Sequence, residues 1–178
     1  MLPSPDGEFS QRIQEAMRTD YKASLLFASI AGALLLSGLI YYLDFRTALP
    51  TPLERLHLKS LALTGSVGRS AFLGSLPSLI HVTAFGLLTC ALLRPKVLSA
   101  LVAGAAWAGV GVLWEFSCAN DQAWLRLGGE LIGVVSVPAC TFDGGDIVAS
   151  VTGVVATTSI AWLVLKSIQS SATQERLT

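Results

Sequence analysis

Four apolar runs, each about as long as a bilayer is thick, constrain this chain more than any other feature. A helix needs about 20 mostly apolar residues to cross roughly 30 Å of hydrocarbon, and runs of that length fall at approximately 23–43, 73–93, 97–118 and 146–165. Within 178 residues, of which 13% are charged, they leave no room for a separate soluble domain. The expected fold is all-α, a polytopic membrane protein built as a four-transmembrane-helix bundle with short interfacial helices. The expected division is a cytoplasmic amphipathic lead-in helix over 1–22, the transmembrane domain over 23–166 and a polar tail over 167–178. Formal net charge is zero, which gives no support for nucleic acid or a strongly anionic partner.

The lead-in places Phe9, Ile13, Ala16 and Met17 at helical spacing among Gln11, Arg12, Gln14, Glu15 and Arg18, the pattern of a short helix lying on the membrane surface. Mixed polar and charged residues precede the first run, and no small-residue cleavage pattern follows a short one. A cleavable signal peptide is therefore not expected. With the N-terminus inside, one side holds Arg12, Arg18, Lys22, Arg94, Lys96, Lys166 and Arg176, and the other Arg46, Arg55, Lys59, Arg69 and Arg126. Cytoplasmic loops carry the excess of Lys and Arg. Seven against five therefore puts both termini in the cytoplasm.

The connection over 44–72 carries a helix signal of its own. Thr51-Pro52-Leu53-Glu54 reads as a capping box with proline in the first turn. Leu53, Leu56, Leu61 and Leu63 give an apolar side, and Arg55, His57 and Lys59 a wet one, so an outer interfacial helix is expected with His57 solvated.

Ionisable side chains are expensive in lipid and point to function by default. His81, Glu115, Asp143 and Asp146 lie in or beside the runs, and at 1.5 Å per residue all fall in the outer half of one bundle. Helical steps back from Glu115 meet Gly111, Ala108 and Gly104. Steps forward from Asp146 meet Ala149, Ser150, Gly153 and Thr157. Small stripes of this kind let transmembrane backbones approach closely. On the second span Gly74, Ser78 and His81 share a side, and Pro77 removes a backbone donor there, so a kink opening space beside His81 is expected.

Each of these residues also has a plain structural reading. Asp146 suits a helix N-cap, and Asp143 before Gly144-Gly145 suits a tight turn. His81 suits an interhelical hydrogen bond. Glu115 in a last turn opposes the helix dipole, which leaves function or a snorkelling surface acid.

His81 followed by Phe85, then Trp114-Glu115-Phe116, then the stretch from Pro138 through Asp143-Gly144-Gly145-Asp146 to Ser150 and Gly153, resembles the VanZ-like family of small bacterial membrane proteins. The resemblance covers roughly residues 75 to 160. It implies a place in the bacterial cytoplasmic membrane and, from founding members associated with low-level teicoplanin resistance, an envelope role with no established reaction. Pro77-Ser78, Cys140 and Ser150 depart from the family pattern. The stretch between Glu115 and Pro138 is longer than usual, so Glu130 competes with Glu115 for the family glutamate.

That outer stretch, 119–137, mixes Trp124, Leu125, Leu127, Leu131 and Ile132 with Asp121, Arg126 and Glu130. It suits a headgroup-zone loop or a partner contact. Cys118 and Cys140 bracket it, and an oxidising outer compartment would allow a disulfide between them; two free thiols are the other reading. No P-loop, nucleophile elbow, dinucleotide fingerprint or metal-ligand spacing occurs. The residues do not identify a cofactor.

Two functions remain. One is a non-enzymatic accessory or stabilising subunit of a larger membrane assembly, with membrane lipids and other membrane-protein subunits as partners. The other is an envelope protein that binds or processes a lipid or lipid-linked precursor at His81, Glu115, Asp143 and Asp146. A transporter lacks internal repeats and enough helices.

Overall fold

The structure, a computed structural model, describes residues 5–45, 71–119 and 142–175. They form four α-helices: α1 (Pro5–Phe45), α2 (Ala71–Leu93), α3 (Val97–Ala119) and α4 (Gly144–Glu175). All four are long and apolar enough to cross a membrane, over Ile13–Tyr41, Gly74–Leu93, Val97–Cys118 and Gly144–Gln174. The protein is an all-α four-helix membrane bundle.

Two boundaries differ from the sequence expectation. Residues 5–22 do not form a separate surface helix but run into the first span as one helix of 41 residues, about 60 Å at 1.5 Å per residue. No glycine or proline interrupts residues 8–31, and glycine and proline are what break a helix at low cost. The polar tail is likewise helical as far as Glu175, because nothing after Gly153 breaks α4. The expected helix around Thr51 with His57, the outer stretch with Glu130, and Cys140 lie outside the described residues.

Close contacts fix the topology. Ser24 Oγ donates to Ala91 O at 3.0 Å, and Gly38 meets Ile80, so α1 is antiparallel to α2. Gly86 meets the Gly104 backbone, and Gly104 meets Val154 while Gly111 meets Ser150, so α2 and α4 are both antiparallel to α3. Gly145 meets Ser75 and Gly153 meets Val82, so α4 runs parallel to α2. Both termini therefore share one end with the Arg94-Pro95-Lys96 turn. Helix α2 is central and touches the other three, whereas α1 packs on α2, touches α4 slightly and does not meet α3 among the described residues.

The apolar core sits in the half nearer the termini, around Phe27, Ala31, Ala84, Leu87, Cys90, Ala100 and Ala161. Elsewhere the helices are joined by small and hydroxyl-bearing residues. Thr157 and Thr83 each donate back within their own helix, to Gly153 O and Leu79 O at 2.8 Å, and Thr83 Oγ1 also reaches across from α2 toward Gly153 O of α4 at 3.5 Å. Lipid tails are as apolar as leucine, so close packing and such hydrogen bonds are what hold transmembrane helices together.

Candidate functional site

The end opposite the termini gathers acids. Glu115 follows the small stripe of α3, with Gly111 against Ser150 and Ala108 and Gly104 buried. That close approach puts the Glu115 carboxylate against the start of α4. There Glu115 Oε2 accepts the Asp143 backbone N–H at 2.8 Å. Glu115 is 7% exposed while its neighbours Trp114 and Phe116 are 43% and 53% exposed, so the acid turns inward and the aromatics face out. The snorkelling reading of Glu115 is thereby excluded.

The cap expected at Asp146 falls instead at Asp143. Asp143 is the N-cap: its Oδ1 accepts the Gly145 N–H at 2.8 Å, and its carbonyl accepts the Asp146 N–H at 3.1 Å. Capping by Asp or Asn satisfies one of the orphan donors of a first turn. The Asp-Gly-Gly sequence that reads as a turn is thus the cap and first two residues of α4. Asp146 lies in the first turn itself, where an acid complements the helix dipole. Its Oδ1 is enclosed and accepts no hydrogen bond among the described residues.

His81 belongs to a different level of the bundle. It lies six residues beyond Ser75, about 9 Å deeper along α2, where Ser75 marks the height of Gly145. Its ring stacks on Phe85, with centroids 5.9 Å apart, and Phe85 stacks on Trp107 at 4.9 Å. Trp107 Nε1 closes the row by donating to Thr89 Oγ1 at 3.0 Å. The structure thus unites Glu115, Asp143 and Asp146, and sets His81 into an aromatic row below them.

The packed face of α2 is not the side shared by Gly74, Ser78 and His81. A Cβ on Gly74 would meet nothing within 4 Å, whereas one on Gly86 would come within 2.9 Å of Thr157 Cγ2 and 3.2 Å of Gly104 Cα. The line that meets α4 is Ser75, Val82, Thr83 and Gly86. A central helix is apolar all round and offers no polar side to count from. The four-residue step from Val82 to Gly86 is the signal that would have found it.

Pro77 stays inside a continuous helix. The open space expected beside His81 lies instead around Ser75, Leu76 and Leu79, where a cleft of about 290 Å³ separates α2 from Gly145, Val148, Ala149 and Thr152 of α4. Of the packing residues expected on α4, Gly153 sits against Val82 and the Leu79 carbonyl, and Ala149 lines this cleft.

Among the described residues no group of three or more His, Cys, Asp and Glu side chains is arranged to hold a metal ion. Cys118 is disulfide-bonded and Cys90 is a free, buried thiol. No family model, curated protein or solved structure matches the chain.

Proposed function

We propose that this is a non-catalytic, VanZ-like protein of the bacterial cytoplasmic membrane that acts as an accessory or stabilising subunit of a larger membrane assembly. The observation that carries this reading is the use made of Glu115. An acid placed at the end of a span for catalysis would keep its oxygens turned toward a substrate, whereas Glu115 Oε2 holds the Asp143 amide and ties the start of α4 to α3. A membrane-buried carboxylate spent on a backbone donor is interhelical glue. The outward Trp114 and Phe116 on the same turn supply apolar surface for a neighbouring subunit. Both termini lie in the cytoplasm in this reading, supported by Arg18, Lys22, Arg94, Lys96 and Lys166 at the end that carries them.

Solubilised in a mild detergent, the protein should run in a stoichiometric complex with another membrane protein. A monodisperse single chain carrying only lipid sinks this reading.

A second reading, an amphiphile-binding envelope protein, is favoured by the 290 Å³ cleft, whose Ser75 and Gly145 border the acid cluster. An apolar chain would lie along Leu76, Leu79 and Val148, and a donor-bearing head would answer the unmet Asp146 Oδ1. Filling the cleft with Ala149→Trp should abolish glycopeptide resistance at normal protein levels. An unchanged phenotype removes this alternative.

A further inference from the structure

At the end that carries both termini, α1 and α4 continue past the α2–α3 turn without closing on each other, since each is held mainly by other helices. Between them lies a groove of about 740 Å³. Its α1 wall contains Arg18, Lys22, Leu25 and Leu26, whose spacing of three and four puts them on one helix face. Its α4 wall, around Ser167, Ile168 and Ser171, carries no acid.

The groove has a direction. Ser24 is bonded to Ala91, near the end of α2, so Leu25 and Leu26 lie at the edge of the hydrocarbon. Lys22 and Arg18 follow toward the aqueous side, about 4.5 Å and 10 Å further along from Leu25 at 1.5 Å per residue. Leu25 and Leu26 are 50% and 45% exposed. Apolar surface at the bilayer edge and cations just above it are arranged as the acyl chains and phosphate of one lipid are. Glu15 lies a further turn out, where its carboxylate opposes a second negative charge beyond a single phosphate.

We propose that this groove binds a phospholipid with one negative charge and an uncharged polar head, its phosphate between Arg18 and Lys22 and its chains along Leu25 and Leu26. Zero net charge over the whole chain does not oppose this, because among the described residues at this end Arg12, Arg18, Lys22, Arg94, Lys96 and Lys166 outnumber Asp6, Glu8, Glu15, Asp20 and Glu175.

The test is native mass spectrometry of the full chain released from detergent, titrated with phosphatidylglycerol or phosphatidylcholine. Phosphatidylglycerol should be retained preferentially. Arg18→Ala with Lys22→Ala should cut that retention roughly 10- to 30-fold, from the usual worth of two cations at an anionic surface. Ser171→Trp, which fills the groove and removes no charge, should cut it as well. Lys166→Ala should leave it unchanged, since Lys166 sits over the Trp162 ring, 4.8 Å from its centroid, and is not in the groove wall. Equal retention of phosphatidylcholine, or equal loss in Lys166→Ala, overturns the proposal. So does a dimer that the Arg18/Lys22 variant splits, which would make the groove a contact between copies.

Discussion

At the end that carries the termini, α1 and α4 stand apart and leave Arg18, Lys22 and Lys166 exposed, whereas at the opposite end α3 and α4 close over Glu115. Charge is tolerated at both ends for different physical reasons. Where helices diverge at the aqueous edge, a cation stays hydrated and its stem covers apolar surface. Where they converge, an acid has to find donors inside the protein, and Glu115 finds the Asp143 amide. Close approach through small residues is what brings that amide within reach. The acid end is therefore closed by specific hydrogen bonds, and the basic end is open to a ligand.

The strongest way to break this comparison is to prevent the close approach. A Cβ at Gly153 would lie 2.8 Å from Val82 Cβ and 3.3 Å from the Leu79 carbonyl oxygen. Gly153→Leu and Gly86→Leu should each cost about 3 kcal/mol, the upper part of the overpacking range, because backbone is among the atoms met. Gly32→Leu, with nothing within 4 Å, should cost close to nothing. Thermal unfolding in detergent compares them; equal tolerance at Gly153 and Gly32 would remove close packing as the basis of the bundle.

The acid clamp is the next largest effect. Glu115→Ala removes the acceptor of the part-buried bond from the Asp143 amide and should cost about 1 kcal/mol, since water can reach an exposed Asp143. Glu115→Gln keeps a carbonyl oxygen there and should recover most of the loss. Hydrogen exchange at the first turn of α4 reports on this directly, and equal exchange in the two variants would show that charge rather than the hydrogen bond matters.

The smallest effect belongs to the open end. Ser24→Ala removes the bond to Ala91 and should cost about 0.6 kcal/mol, the average for an interhelical hydrogen bond in a membrane. A loss as large as that of Glu115→Ala would mean that α1 is clamped as firmly as α4, and the contrast between the ends would fail.

Much of this was legible in the residues. The spans follow from hydropathy because lipid allows little else. Gly104, Ala108, Gly111 and Gly153 follow from counting helical steps from an acid, since an acid in a span has to face inward. The convergence of Glu115, Asp143 and Asp146 follows from rise per residue and alternating direction. The packed side of α2 was not legible, because a helix surrounded by protein shows no polar side. Nor was the division of labour between Asp143 and Asp146: both fit a helix start, and only the backbone bonds to Gly145 and Asp146 identify the cap.

Hydropathy and periodicity, local properties of the chain, by themselves determined a four-helix membrane bundle with Glu115, Asp143 and Asp146 at one end. Tertiary structure decided that His81 stacks with Phe85 and Trp107 at a level below the acids, that Glu115 is spent on the Asp143 amide, and that α1 and α4 part around a groove. Those outcomes depend on how helices rotate and lean against one another. That depends on which side chains meet across helices, and no stretch of sequence encodes it alone.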